Sequence, residues 1–141
     1  MRIGMTDILS KEERHQMMSR IKSSNTEIEK RVFEYLVSLG LEFQTHLKSV
    51  AGCPDAVLVK QRIVIFVHGC FWHRHRNCRL AYHPKSNIEF WNRKFEQNLM
   101  RDIQVQKSLL ETNWSIFTVW QCEVENGVFK QILLEGTKQN G

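Results

Sequence analysis

The stretch DAVLVKQRIVIFVHGC, residues 55–70, contains two short apolar runs separated by a polar interval. Short apolar runs rich in β-branched residues are typical of strands that are buried on both faces. We interpret the two runs as a hairpin of antiparallel strands with a short turn at Lys60 and Gln61. The second strand leads directly into His68 and Cys70, so the loop that follows starts from a buried sheet.

Helices are predicted on both sides of this hairpin in the sequence. Capping boxes at Ser10 (S-K-E-E) and Thr26 (T-E-I-E) predict a first helix of about ten residues and a second helix that ends at Gly40. A third capping box at Ser86 (S-N-I-E) predicts a helix of about 24 residues with a break near Arg101.

Two more strands complete the predicted sheet. Alternating apolar residues indicate a half-exposed strand at 41–47, WSIFTVW indicates a buried strand at 114–120, and a short helix follows Gly127. The expected fold class is α/β, with a mixed central β-sheet flanked by helices. A chain of 141 residues is long enough for one folded domain, which we assign to residues 1–141.

The chain carries no apolar segment of membrane-spanning length. Its longest unbroken apolar run, Ile63–Val67, is far shorter than the roughly 20 residues that a spanning helix requires. The first residues, MRIGMTDILSKEER, are polar where a secretory signal would be apolar. We therefore expect a cytoplasmic protein without contact to a membrane. Its four cysteines are then better explained by metal binding or packing than by disulfides.

Positive charge is concentrated in one part of the chain. The net charge is +5, but residues 60–94 contain eight Lys or Arg against one acid, Glu89. Aromatic residues are interleaved with these cations, as a nucleic-acid surface would need: Phe71, Trp72, Tyr82, Phe90 and Trp91. A solvated basic face is the alternative that charge alone leaves open.

Four residues have the types and spacing of a structural zinc site. Cys70, His75 and Cys78 follow one another as C-x4-H-x2-C on a predicted loop. Cys122 lies two residues after a predicted strand and is our candidate for the fourth ligand, ahead of Cys53. The alternative is that the cysteines are buried free thiols and the histidine is a surface residue.

A second group of residues suits phosphodiester hydrolysis. Asp55 lies at the start of a buried strand, where a carboxylate is costly unless it binds a cation or accepts hydrogen bonds. The hairpin would bring it near His68, and a hard ion such as Mg²⁺ could be held by Asp55 and the carbonyl of Val67. His68 and His73 are not needed for zinc and are available for proton transfer. A strand-capping aspartate in a turn is the alternative for Asp55.

Several stretches of the chain together carry a resemblance to a known family. They are MMSRIKSSNTEIEKRV, GCPDAVLV, IVIFVHGCFWHRH, Cys78, PKSNIEFW, Arg101 with Asp102, and VWQCE. In this order, over roughly residues 7–125, they resemble the very-short-patch repair DNA mismatch endonucleases. The resemblance implies a fold like that of the PD-(D/E)xK restriction endonucleases, in which Phe66 and His68 replace the second acid and the lysine. It also implies Mg²⁺-dependent nicking at a T:G mismatch that arose by deamination of 5-methylcytosine, on the 5′ side of the thymine.

The resemblance also implies roles for individual residues of the catalytic centre. Asp55 and the Val67 carbonyl would bind Mg²⁺, and His73 would activate the attacking water with Asp102 fixing its tautomer. His68 would bond to a metal-bound water or to the scissile phosphate region, and Glu29 would reach the water shell of the metal. From the residues alone, Glu29 is the last residue of a capping box and Asp102 is a surface acid.

The same resemblance assigns the zinc ligands and the DNA contacts. The structural zinc positions fall on Cys70, His75, Cys78 and Cys122. Phe71, Trp72 and Trp91 would wedge between bases beside the mismatch, although such aromatics are often core residues. The N-terminal segment, residues 1–24, would clasp the duplex. The chain departs from the family pattern at Cys53, where a basic residue usually precedes the Pro-Asp pair.

Two other functions fit these residues. One is a restriction-type endonuclease of the same fold that cuts both strands of an unmodified target. The other is a zinc-stabilised DNA-binding module without catalysis. If the chain is instead a mismatch endonuclease, as the resemblance implies, its partner is double-stranded DNA with a T:G mismatch. The protein is then expected to act as a monomer, with mismatch-repair proteins as possible partners.

Overall fold

A computed structural model describes residues 27–139 of the chain. The elements are helix α1 (27–38), strands β1 (Gln44–Thr45), β2 (Ala56–Leu58) and β3 (Ile63–His68), helix α2 (Ile88–Glu111), strand β4 (Ser115–Trp120), and helices α3 (Gln121–Asn126) and α4 (Phe129–Gln139). The strands form one sheet in the order β1-β2-β3-β4. β2 pairs antiparallel with both β1 and β3, and β3 pairs parallel with β4. The predicted α/β class with a mixed sheet is confirmed.

The predicted hairpin is present, with a longer turn than expected. Ala56 pairs with Ile65 and Leu58 with Ile63 across β2 and β3, and every residue of both strands is buried. The turn covers residues 59–62, beyond the two residues predicted, and Arg62 has a left-handed backbone with φ 59°.

β3 separates two apolar clusters because successive side chains point to opposite faces of a strand. Ile63, Ile65 and Val67 pack into one cluster with residues of α1 and α4. Val64 and Phe66 pack on the other face, against Leu109 of α2 and its surroundings. The sheet is therefore covered by helices on both faces, and the end of β3 emerges between the two layers.

Helix α1 ends as its sequence predicts. Ile28, Val32 and Leu36 recur every four residues and are buried. Gly40 has φ 73°, and the N–H groups of Gly40 and Leu41 donate to the carbonyls of Val37 and Leu36. This is the Schellman arrangement, which favours glycine at the left-handed position.

The flanking elements differ from the prediction in two places. The strand expected at 41–47 is reduced to Gln44–Thr45, because His46 has φ 49° and turns the chain out of the extended conformation. Helix α2 begins at Ile88 with a left-handed Asn87 as its N-cap, one residue later than the N-cap that the capping box predicts. It runs to Glu111 without the break expected near its middle, since no proline or glycine interrupts it.

Helix α3 was not predicted. It starts directly after β4, where Glu123 accepts a 2.9 Å hydrogen bond from the Trp120 N–H and so satisfies a free donor at the helix start. Cys122, two residues after β4, consequently lies on this short helix.

The helix predicted from Ser10 and the segment 1–24 lie outside the described residues. Among helices within 27–139, none has both the length and the apolar character needed to cross a bilayer.

Candidate active site and metal centre

Asp55 occupies the position between the loop after β1 and the start of β2. Its Oδ2 accepts a 2.6 Å hydrogen bond from the N–H of Val67, on the neighbouring strand β3. Burial raises the pKa of the Asp55 carboxyl to about 7, the Val67 N–H opposes this shift, and the negative charge of Glu29 adds to it. A half-buried carboxylate beside a second acid is a strong candidate for cation binding, because a cation would stabilise both charges.

Glu29 reaches the same place from α1. Its Oε1 lies 2.6 Å from Nε2 of His46, and the same nitrogen lies 3.7 Å from Oδ1 of Asp55. The carboxyls of Glu29 and Asp55 and the imidazole of His46 form one group in which the ligand atoms lie within 4.8 Å of one another. Sequence analysis did not identify His46, since it belongs to no motif and lies nine residues from Asp55.

Two histidines and an acid form a second group at the end of β3. The rings of His68 and His73 stack with centroids 3.7 Å apart and planes at 5°. Nδ1 of His73 lies 2.7 Å from Oδ2 of Asp102, which projects from α2. With Nδ1–H donating to this carboxylate, the lone pair of neutral His73 is on Nε2, where it can accept a proton.

The electrostatics of this second group assign different roles to its members. Burial, with a smaller contribution from the neighbouring His73, lowers the pKa of His68 to about 3, so His68 is neutral. Burial acts to raise the pKa of Asp102, but its hydrogen bond and charge interaction with His73 outweigh burial and leave the pKa below its usual value. Asp102 is therefore an anion that can stabilise a protonated His73.

A cleft opens directly above these groups. It has a volume of about 410 Å³, and its lining includes His68, His73, Asp102, Gln106 and Trp120. The Asp55 carboxylate accepts its hydrogen bond from Val67, and the residue after Val67 is His68, which lines the cleft. The Asp55 group is therefore linked to the cleft through strand β3. Nδ1 of His68 is buried and has no hydrogen-bond partner among the described residues, so it is an unsatisfied polar atom in the wall of the cleft. The arrangement suits proton transfer beside an acid-lined cation site.

The four predicted zinc ligands come together beside this cleft. Cys70, His75, Cys78 and Cys122 have ligand atoms within 4.8 Å of one another, whereas Cys53 is exposed and does not belong to the group. Nδ1 of His75 lies 3.5 Å from the sulfurs of both Cys70 and Cys122. Tetrahedral zinc with its usual bond lengths separates sulfur and nitrogen ligands by roughly 3.5 Å. The donor set and spacing fit a Cys3His metal site.

The protonation of the thiols also fits a metal. Burial raises the pKa of Cys70 to about 12, and burial likewise raises the pKa of Cys122. Thiolates at such positions are unfavourable unless a cation compensates their charge, and a bound metal does so.

The loop between Cys70 and Cys78 therefore carries candidate metal ligands and a candidate base side by side. The N–H of His73 donates to the carbonyl of Gly69, and that of His75 donates to Cys70. The His75 ring stacks on Trp120 at 4.1 Å and 8°. Hydrogen bonds at His73 and His75, together with the stacking of His75 on Trp120, therefore hold the part of the loop that carries His73.

Arg74 has an internal role that the sequence did not reveal. Its guanidinium donates to the carbonyls of Ala81, Phe71 and Tyr82 at 2.9, 3.1 and 3.2 Å, and it lies 4.0 Å above the ring of Phe95. Burial lowers its pKa. Arg74 closes the loop on itself, while Arg76 and Arg79 on the same loop are exposed.

The candidate wedge residues differ in exposure. Phe71 is 5% and Trp91 2% exposed, and their rings pack edge to face at 5.4 Å in one cluster with Phe95. Trp72 is half-buried at the edge of this cluster. Phe71 and Trp91 are core residues as the structure has them, which is the alternative that the sequence left open. A wedge role for these two stays a prediction and requires the cluster to open.

Comparisons with known proteins identify sequence relatives of this chain. The sequence model of a family described as DNA mismatch endonuclease Vsr matches residues 6–80. The chain is 43% identical over 122 residues to the type II nicking enzyme V.XorIIP of Xanthomonas oryzae pv. oryzae, covering 86% of this chain and 89% of that relative. It is 40% identical over 118 residues to the DNA mismatch endonuclease Vsr of Escherichia coli K12, covering 84% of this chain and 75% of that relative.

Proposed function

The chain belongs to the DNA mismatch endonuclease Vsr family and is a DNA endonuclease, and we propose that it nicks one strand at a T:G mismatch, on the 5′ side of the thymine. The mismatch is the product of 5-methylcytosine deamination, and the proposed reaction is hydrolysis of one phosphodiester bond. The observation that carries this proposal is the 2.7 Å contact of His73 with Asp102 in a cleft that His68 also lines, one residue after the Val67 whose N–H donates to Asp55. It provides a positioned base and a cation site for one reaction.

We assign the metal site to the acids beside β2. Asp55 and the carbonyl of Val67 would hold Mg²⁺, and Glu29 would bind its water shell. Carboxylate and carbonyl oxygens are the donors that Mg²⁺ prefers, so the residues present fit this ion. When bound, Mg²⁺ supplies positive charge that stabilises the developing charge on the phosphate. The N–H of Val67 meanwhile holds the Asp55 carboxylate in one orientation.

The histidine group provides the proton transfer. His73 Nε2 takes a proton from the attacking water, and Asp102 holds the ring in the tautomer that leaves this nitrogen free. The neutral His68 would bond to the water shell of a bound Mg²⁺ or to the scissile phosphate region. Its stacking on His73 keeps both rings aligned at the mouth of the cleft.

Residues outside the catalytic group have supporting roles in the proposed function. The Cys3His group holds a structural zinc that keeps the loop of His73 in place. The hairpin with Asp55 before β2, and Phe66 and His68 on β3, supports a fold like that of the PD-(D/E)xK endonucleases. Trp72, together with Phe71 and Trp91 if their cluster opens, would wedge beside the mismatch, and residues 1–24 would clasp the duplex. We infer a single-domain, cytoplasmic monomer that meets mismatch-repair proteins.

A strand-specific nicking assay tests the proposed function. The protein is incubated in Mg²⁺ with end-labelled duplexes that contain T:G, A:T or C:G at one position. We expect a single nick beside the thymine of T:G and cutting of the paired duplexes at least about 100-fold slower, since a mispaired base costs least to unstack. Cutting of both strands of paired DNA would contradict the proposal and favour a restriction-type enzyme.

Asp102→Asn tests the positioning role of this residue. We expect kcat for nicking to fall about 10- to 100-fold with little change in KM, because an amide can donate to His73 Nδ1 and favour the wrong tautomer. The pH dependence of kcat should change as well. Glu111→Gln, which removes an exposed acid at the end of the same helix, is the matched control. A lower kcat with an unchanged pH profile would indicate a purely structural role for Asp102.

A further inference from the structure

His46 is the only histidine in contact with the carboxyls of Asp55 and Glu29 within residues 27–139, and the mechanism above does not use it. It directly follows β1, in a left-handed backbone conformation with φ 49°. Its N–H donates to the carbonyl of Asp55 at 3.2 Å. Non-glycine residues rarely adopt this conformation, and they do so where surrounding contacts stabilise it. The backbone of His46 is therefore tied to the same residue that its side chain faces.

The imidazole of His46 points between the two acids. Nε2 lies 2.6 Å from Glu29 Oε1 and 3.7 Å from Asp55 Oδ1, and the ring packs edge-on against Phe33 at 6.1 Å. The side chain is nevertheless 54% exposed, while those of Glu29 and Asp55 are 17% and 21% exposed. The imidazole is thus the most exposed of the three side chains in this group.

Nitrogen and oxygen atoms at these separations can become ligands of one ion. The three ligand atoms lie within 4.8 Å of one another. Ligands on adjacent positions of an ion with bonds of roughly 2.1 Å lie about 3 Å apart, so shifts of an ångström or two at flexible side chains suffice. Only the lone pair of neutral imidazole binds a metal, and Nε2 is the nitrogen that faces the acids.

We propose that Nε2 of His46 is a further ligand of the catalytic cation that Asp55 binds, on the side of the site where Glu29 lies, and that it makes this site favour Mn²⁺ over Mg²⁺. A nitrogen donor suits transition-metal ions better than Mg²⁺, which prefers a shell of oxygens. The inference rests on the proposed function in one respect, the location of the cation at Asp55. It goes beyond that function by adding a ligand and an order of metal preference.

Direct metal binding to the zinc-loaded, DNA-free protein tests this proposal. Free Mn²⁺ is measured by electron paramagnetic resonance, and Mg²⁺ binding by its competition with Mn²⁺. In His46→Gln we expect the dissociation constant for Mn²⁺ at this site to rise about tenfold and that for Mg²⁺ to rise less than about threefold. The glutamine amide can still donate to Glu29, so a specific loss of Mn²⁺ affinity reports a lost ligand. His46→Asn, which tolerates the left-handed backbone better, should give the same result.

Pulsed electron paramagnetic resonance of bound Mn²⁺ provides a second readout. A nitrogen coupling should be present in the natural chain and lost or reduced in His46→Gln. His83→Gln, an exposed histidine whose ring contacts Arg74, is the matched control and should leave both measurements unchanged. Equal Mn²⁺ affinity in the His46 variants, or a nitrogen coupling that survives them unchanged, would overturn the proposal. Failure of the chain to nick T:G duplexes would leave these binding results as they are, so the two proposals fail separately.

Discussion

Asp55→Asn is expected to lower the rate of nicking by at least about 10³-fold, with binding of the mismatched duplex retained. Asparagine has nearly the same shape, and its side-chain oxygen can still accept the hydrogen bond from Val67. What the variant loses is the negative charge that holds the cation. The effect should therefore be on kcat and on Mg²⁺ dependence. Strand-specific nicking under single-turnover conditions, combined with a binding titration of the same duplex, measures both quantities.

Glu42→Gln is the matched control for this variant. Glu42 forms an ion pair with Lys60 in which the side chains are 79% and 75% exposed, so its removal changes a surface charge and little else. It should nick at the rate of the natural chain. If Asp55→Asn nicked at that rate too, the cation site would have to be elsewhere and the proposed mechanism would be wrong.

Asp55→Asn also has a predicted effect on stability, and the sign of this effect is defined. The pKa of Asp55 is about 7 in the folded protein against 3.8 for an ordinary aspartate, so the folded state binds more protons between these values. The free energy of unfolding of the natural chain should therefore fall as the pH rises from about 4 to about 7, and this contribution should level off above that range. Asp55→Asn lacks the contribution and should be more stable than the natural chain at pH 8 without Mg²⁺. Urea unfolding at several pH values measures the difference.

The predicted hairpin and the position of Asp55 came from patterns that depend on neighbours in the sequence. Two apolar runs separated by a few polar residues have few ways to pair, and period-2 alternation fixes which residues share a face. The Cys3His group could be predicted from the sequence because three of its members lie within nine residues of one another, from Cys70 to Cys78. Cys122 could be added because it follows a strand, even though the helix that carries it was not foreseen.

The parts that the sequence could not provide depend on contacts between distant segments. His46 contacts Glu29 across 17 positions, from a left-handed backbone that no local pattern indicates. Arg74 was counted with the cations available to DNA, yet it satisfies three carbonyls of its own loop. Glu29 and Asp102 were attributed to the site through family resemblance alone, because a single acid on a helix is usually a surface residue.

Loss of the proposed structural zinc should have the second large effect, mainly on the stability of the fold and through it on the rate of nicking. Cys70→Ala is expected to lose zinc, to lower the free energy of unfolding by several kcal/mol, and to lower nicking through disorder of the loop. Cys70 is fully buried beneath the loop, and its backbone carbonyl accepts the hydrogen bond of the His75 N–H. Because His73 lies between these two residues, a base held within hydrogen-bond reach of Asp102 requires an intact metal cluster.

Cys53→Ala is the matched control, since Cys53 is an exposed thiol that does not belong to the cluster. It should retain one zinc per chain and the melting temperature of the natural protein. Metal content by mass spectrometry and thermal unfolding by circular dichroism, with and without a zinc chelator, compare the two variants. The chelator should destabilise the natural chain and Cys53→Ala alike, and should leave Cys70→Ala unchanged. Removing Mg²⁺ alone should stop nicking while the fold persists, because the sheet behind the acids beside β2 is held by apolar packing that does not involve them. Equal stability of Cys70→Ala and Cys53→Ala would show that the Cys3His group packs as ordinary thiols, and the position of His73 would then need another explanation.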